Sequence, residues 1–400
     1  MITPALERCV GDVRRFAEEH WGREPLVYRG DPDAFAGLLD LVDVDNLVGE
    51  TLLRMPAFRL VKDGTPLDPA SYTQTVKIGG QGLDRTARPD RVADAFADGA
   101  TIVLNALHRQ SGPVGAFCRE LELELTHPVQ ANAYITPPTA QGFSVHHDTH
   151  DVFVLQTHGH KAWRVYRPLV ELASDDQPWS ESLGDPGEPV LSEELGPGDA
   201  LYIPRGFPHD AEARKEVSVH ITVGILATTW VDVWRGVMRR VSEERAFREP
   251  LPIGYADDPD VLAGELDVRR KELHDWLDEA AGPDAMRAHA ERFWRSRRPL
   301  STGRLAQIEQ VEGIDARTQL RRRTDGVFRV EVDEDQAVVI LGRREVRMPV
   351  FCEPAMRFIA SATDAFTAAE LPELGDEASR VVLVKRLVRE GALEVEGVGD

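Results

Sequence analysis

The sequence predicts a mainly β chain with α elements: a small β-barrel around two strand segments, then a run of helices, then a small mixed tail. Three observations predict it. The triplet His146-His147-Asp148 lies between Gly142-Phe143-Ser144-Val145 and Val152-Phe153-Val154-Leu155, both rich in strand formers, although residues 148–151 read as a turn or strand edge. In residues 198–209 a Gly198-Asp199 turn, a short Leu201-Tyr202-Ile203 strand and a Pro204/Gly206 bend lead to His209, which this path can present to a barrel interior. After Thr229 the apolar spacing becomes helical, and alternating strand patterns return only after Gly326.

Taken in order, residues 10–19 have helical spacing at Val10, Val13, Phe16 and Ala17, and Trp21-Gly22 closes that helix into a short strand at Leu26-Val27-Tyr28. Residues 30–91 mix short helices with polar loops. Val92 to Phe96 then leads into a buried strand at Thr101-Ile102-Val103-Leu104-Asn105, and residues 107–120 read as a helix broken near Pro113. Residues 169–196, acidic and rich in Pro, Gly and Ser, read as an exposed insertion between the two strand segments of the barrel, or alternatively as a lid. Residues 231–246 and 258–300, with Leu262, Leu266, Leu273, Trp276 and Leu277 among dense charges, favour a helical bundle. Beyond a polar boundary at 313–323, strands are expected at 326–332, 336–340 and 344–349, helices at 353–361 and 376–390, a capped start at Thr367, and a last strand at 391–395. The expected domains are therefore 1–230, 231–311 and 312–400.

The triplet carries the chemistry. In extended chain, side chains i and i+2 share a face, so His146 and Asp148 can reach one point while His147 turns away. With His209 they form a two-imidazole, one-carboxylate set suited to a mononuclear Fe(II) site with open positions, though Mn(II), Ni(II) or Zn(II) would also accept it. His147, His150, His158, His160 and His220 crowd the same stretch, and density alone makes none of them a ligand. His220 and Thr222 share strand parity with Ser218, and Tyr134 shares a face with Asn132; each can line a pocket or pack in the core.

Residues 132–230 resemble the JmjC-type cupin oxygenases, in particular the branch that hydroxylates side chains of ribosomal proteins. Asn132-Ala133-Tyr134-Ile135-Thr136-Pro137-Pro138, Gly142 to Asp148, Val154-Leu155-Gln156, Lys161-Ala162-Trp163-Arg164-Val165-Tyr166, Pro204 to His209 and Ser218 to Thr222 follow that branch in order and spacing. The resemblance implies a JmjC/cupin double-stranded β-helix, a helical dimerisation region and a winged-helix-like C-terminal domain. It implies Fe(II) on His146, Asp148 and His209, with 2-oxoglutarate and O₂ as co-substrates. Lys161 would pair with the distal carboxylate of 2-oxoglutarate, and Asn132 would lie close to it. Tyr134, His220 and Thr222 are the further pocket candidates. The chain departs from common versions at His147 and His150. Chemistry supports Lys161 independently, because a dicarboxylate chelating the metal at one end needs a cation for the other inside a poorly hydrated barrel. Its alternative is a surface lysine beside the turn at 157–160.

Composition bounds the partners. With 47 Lys and Arg against 68 Asp and Glu, the 400-residue chain carries a net charge of −21, which disfavours nucleic-acid backbones and would attract a basic protein. Three dispersed cysteines give neither a disulfide framework nor a CxxC metal site. With no apolar run of membrane-spanning length and no signal-like start, a cytoplasmic enzyme is expected. The leading expectation is hydroxylation of a ribosomal-protein side chain by a homodimer. A small-molecule or peptide oxygenase, and a non-catalytic metal-binding cupin acting as an interaction module, are the alternatives. Hydroxylation and demethylation both begin with hydrogen abstraction, and the sequence does not separate them.

Overall fold

The computed structural model describes residues 3–138, 140, 144–258, 260–279, 281–299 and 301–397, so the expected strand at Gly142-Phe143 lies outside the described residues. The chain divides into two compact units, Met1–Ala227 and Thr228–Asp400.

The first unit is built on an eight-stranded sheet and a three-stranded one. The major sheet runs Leu26–Tyr28, Ala200–Ile203, Asp151–His158, Ser218–Ile225, Val129–Thr136, Thr101–Leu104, Phe58–Lys62 and Thr65–Pro66. The minor sheet runs Pro189–Leu195, Lys161–Tyr166 and His209–Ala213. Period-two alternation sorts the side chains of the major sheet. Phe153, Leu155, Ala131, Ala133, Ile135, Val219, Ile221 and Val223 face one core, shared with Leu6, Phe117 and Leu121 of the helices Ala5–Val10 and Gly112–Leu125. Val152, Val154, Leu201 and Ile203 face the other way and meet Trp163, Val165 and Ala211 of the minor sheet. The polar residues of that second face, Tyr134, His220 and Thr222 among them, are thereby directed between the sheets.

Several expectations change. The helix at 10–19 is three pieces, Ala5–Val10, Val13–Arg15 and a π-turn Phe16–His20, because Gly11 takes a positive φ of 68° and Asp12 caps the next segment. Pro113 does not break a helix. It occupies the first turn of Gly112–Leu125, where its missing N–H has no partner to lose. Residues 30–91 hold strands besides helices: Phe58–Lys62 in the sheet and a hairpin of Thr73–Ile78 with Gln81–Ala87. The insertion is not wholly irregular, since Pro189–Leu195 pairs with Lys161–Tyr166 as an edge of the minor sheet.

In the second unit, Val237, Val241 and Ala285 form a small core of the helices Trp230–Val241 and Ala281–Ser296, with Leu273, Trp276 and Leu277 of Val261–Asp278 against it. A larger core joins Val311, Ile314 and Leu320 to Val339, Val346, Met356, Ile359, Leu383, Leu387 and Leu393. Residues 313–323 are thus a packed segment with a strand, Leu320–Arg322, and not only a polar boundary. The strands Arg329–Asp333, Gln336–Leu341 and Arg344–Pro349 form an antiparallel meander, followed by Glu353–Ser361 and Glu377–Glu390. Cys9, Cys118 and Cys352 are all free and buried. Among the described residues no helix is long and apolar enough to cross a membrane.

Candidate metal centre

His146 and Asp148 lie in irregular chain ahead of the strand Asp151–His158, not on a ladder. His146 makes an isolated antiparallel bridge with His209, the first residue of its strand: His209 N–H donates to His146 O at 2.8 Å, and His146 N–H to His209 O at 3.2 Å. Gly206 N–H donates to Asp148 O at 3.0 Å, lacing the two segments a second time. Gly206 has φ +87°, and a Cβ there would run into the carbonyl oxygen of Val170, so this bend requires glycine.

The result is convergent. One ligand atom from each of His146, Asp148 and His209 lies within 4.8 Å of the others. His209 Nε2 is 3.8 Å from Asp148 Oδ2, and the two rings are centred 4.7 Å apart. Each histidine sets its tautomer the same way: His146 Nδ1 is 2.8 Å from Ser144 O and His209 Nδ1 is 3.0 Å from Phe207 O. A carbonyl only accepts, so Nδ1 carries the proton and Nε2 keeps its lone pair. Burial first, then His146, pushes the His209 pKa down to about 4, so this imidazole is neutral near pH 7. This donor set, with the remaining directions open to a cavity, fits a divalent first-row metal. His147 turns away, with Nε2 3.1 Å from Gln177 O and its ring edge-on to Trp179.

The cavity has a volume of about 260 Å³, and Lys161, Tyr134, His220 and Thr222 line it together with all three members of the cluster. Lys161 is buried, donates to the Thr136 hydroxyl at 3.0 Å, and has its pKa pushed down to about 7 by burial. It is not the surface lysine of the alternative expectation. Tyr134 stacks on His220 with centroids 5.0 Å apart, and burial, with Asp148 second, pushes its hydroxyl up to about 12. His220 is held well below its ordinary pKa by burial, reinforced by Lys161. Asn132 pairs with Thr222 across the ladder, its side chain hydrogen-bonds Tyr134, and its Oδ1 accepts the Ala106 N–H at 2.9 Å. Sequence reasoning missed Trp163 and Arg59, both on the cavity wall. Strand parity with Lys161 could have found Trp163. Arg59 carries no local signal, because its strand was not anticipated.

The JmjC domain model matches residues 115–233, the part of the chain that holds the two-histidine, one-carboxylate cluster. In sequence the chain is similar to ribosomal oxygenases. It is 36% identical to ribosomal oxygenase 1 of Gallus gallus over 253 residues, 60% of this chain and 41% of that one. It is 34% identical to the bifunctional lysine-specific demethylase and histidyl-hydroxylase NO66 of Dictyostelium discoideum over 292 residues, 69% of this chain and 53% of that one. The chain thus spans about half, or less, of the length of these curated relatives. The structure of YcfD, a ribosomal oxygenase from Escherichia coli in complex with cobalt and 2-oxoglutarate, superposes with a TM-score of 0.54 at 21% identity, over 96% of this chain and 98% of that one. That likeness is one of fold.

Proposed function

We propose that this protein is an Fe(II)- and 2-oxoglutarate-dependent oxygenase that hydroxylates a protein side chain, an arginine or a histidine of a ribosomal protein, with O₂ as second co-substrate. One observation carries the reading. The cavity that receives the His146, Asp148 and His209 ligand atoms also receives Lys161, a buried cation bonded to a hydroxyl and not to a carboxylate. A buried ammonium without a counter-charge is costly unless a bound anion completes it. The names of the relatives, and the complex of YcfD with 2-oxoglutarate, support the same reading.

In this reading His146, Asp148 and His209 hold the metal through two imidazole nitrogens and a carboxylate oxygen. Lys161 takes the distal carboxylate of 2-oxoglutarate in a charge-assisted hydrogen bond, steadied by Thr136. The Tyr134 hydroxyl, protonated because its pKa is raised, and Thr222 offer polar contacts on the wall, and the Tyr134–His220 stack holds that wall rigid. Asn132, opposite Thr222 in the sheet, hydrogen-bonds Tyr134 and fixes the Ala106 backbone, which places it beside the co-substrate. Bound Fe(II) with 2-oxoglutarate supplies the O₂ activation that oxidises a substrate C–H bond. The excess of acidic residues favours a basic ribosomal protein as substrate, and the helices within 231–311 serve as the dimerisation region.

The test is anaerobic titration of Fe(II)-loaded protein with 2-oxoglutarate, followed by a mass-spectrometric search of total ribosomal protein after O₂ is admitted. A visible charge-transfer band and a gain of one oxygen on one ribosomal protein are expected. Absence of the band in fully metallated protein would overturn the reading.

A further inference from the structure

Arg59 stands in a position that bears on which side chain the cavity accepts. The strand register aligns it in one cross-strand row: Arg59 opposite Val103, Val103 opposite Tyr134, Tyr134 opposite His220. Directly opposed residues share a face, so Arg59 points to the same side as the cavity-lining Tyr134 and His220, and it lines the cavity itself. Its guanidinium donates to the neutral Asn105 Oδ1 at 3.2 Å, and no ion pair of Arg59 with a carboxylate occurs among the described residues.

Among the described residues two carboxylates line the cavity, Asp148 and Asp210, and both are committed. Asp148 belongs to the metal cluster. Asp210 accepts from Arg164 Nε at 3.1 Å and from the Tyr166 hydroxyl at 3.0 Å. Once a divalent metal sits on the cluster and a dicarboxylate spans from it to Lys161, the charges of metal, Asp148, dicarboxylate and Lys161 cancel. The charge of Arg59 is left over.

We propose that Arg59 is a specificity-determining residue: it makes the cavity accept an uncharged, hydrogen-bonding side chain such as an imidazole or a carboxamide, and reject guanidinium, ammonium and methylated ammonium groups. The inference rests on the oxygenase reading and narrows it, favouring hydroxylation of a neutral side chain over an arginine or methyl-lysine substrate. A like charge held in a partly desolvated wall discriminates by repulsion, here by about ten-fold or more in kcat/KM.

The experiment treats total ribosomal protein with the full-length holoenzyme, Fe(II), 2-oxoglutarate and O₂, and maps the oxidised residue by mass spectrometry. The peptide around that residue is then compared with one carrying Arg in its place, using wild type, Arg59→Gln and Arg59→Glu. The expected result is an uncharged target, an Arg peptide turned over about ten-fold or more worse by wild type, and a preference that shrinks in Arg59→Gln and shrinks further or inverts in Arg59→Glu. Oxidation of an Arg or Lys by wild type, or an unchanged preference in both variants, would overturn the inference. The anaerobic 2-oxoglutarate band separates the two failures: without it in wild type, the oxygenase reading itself has failed.

Discussion

Asp151 and Arg205 form a buried ion pair that joins the two chain segments carrying the ligand cluster. Arg205 Nη1 lies 3.2 Å from Asp151 Oδ2, with the carboxylate side chain 1% and the guanidinium side chain 15% exposed. Asp151 also accepts from the Tyr202 hydroxyl at 2.9 Å, which in turn accepts the Gly22 N–H at 2.9 Å. Asp151 is three residues beyond Asp148, and Arg205 four before His209. Since His146 and Asp148 lie outside the sheet ladders, this pair and the His146–His209 bridge hold the segments in register.

Arg205→Ala leaves a buried carboxylate short of its counter-ion, and should cost about 3–5 kcal/mol in urea denaturation and weaken Mn(II) binding. The double variant Asp151→Ala/Arg205→Ala should cost less than the sum of the single variants, because it removes both charges. Additive losses would show that the two groups are not coupled.

The ligand assignment separates neighbours. His146→Ala, Asp148→Ala and His209→Ala should each abolish stoichiometric Mn(II) binding measured by electron paramagnetic resonance. His147→Ala should retain it, since its ring faces Gln177 and Trp179. Loss of the metal in His147→Ala with the fold intact would contradict the alternation of side chains along 146–148.

Much of this was legible in the sequence, and the remainder was obscure for physical reasons. The tail could be read because its elements carry local signals: Thr367 and Glu370 form a capping box, Asp376 caps Glu377–Glu390, and Val346 and Met348 alternate with exposed neighbours. The hairpin Thr73–Ile78 with Gln81–Ala87 could not, since most of its residues face solvent and leave no apolar alternation. Pro189–Leu195 was hidden because an edge strand tolerates Glu193 and Glu194, exposed on the surface of the minor sheet. His146 and Asp148 were found by residue type and spacing; among the described residues 144–150 join no sheet ladder, while the strand expected at 152–155 is present within Asp151–His158. Arg59 reaches the cavity through long-range register alone.

Lys161→Ala should leave metal binding intact and weaken 2-oxoglutarate by the worth of a charge-assisted hydrogen bond, about 1.5–3 kcal/mol, measured as the shift in the anaerobic titration midpoint. Thr136→Val should have a smaller effect of the same sign, because it removes the hydroxyl that accepts from Lys161 Nζ. Equal loss of metal in the Lys161 variant would sink the division of roles.

The same lysine makes binding depend on pH. Burial lowers its pKa from 10.5 to about 7, so in the ligand-free protein the ammonium is half deprotonated near pH 7. A carboxylate binds the ammonium form and raises its pKa again, so above pH 7 each binding event takes up a proton and the Kd for 2-oxoglutarate should rise about ten-fold per pH unit. Below pH 7 the Kd should level off, until protonation of the histidine ligands begins to release the metal. Titration calorimetry at pH 8 in buffers of different ionisation enthalpy should therefore show uptake of close to one proton, and Lys161→Ala should show none. For folding the sign is opposite. Between pH 7 and about 10 the unfolded chain holds a proton that the folded chain lacks, so the ligand-free protein gains stability from this group as pH rises. A pH-independent Kd between 7 and 9 would mean that Lys161 remains charged in the empty cavity.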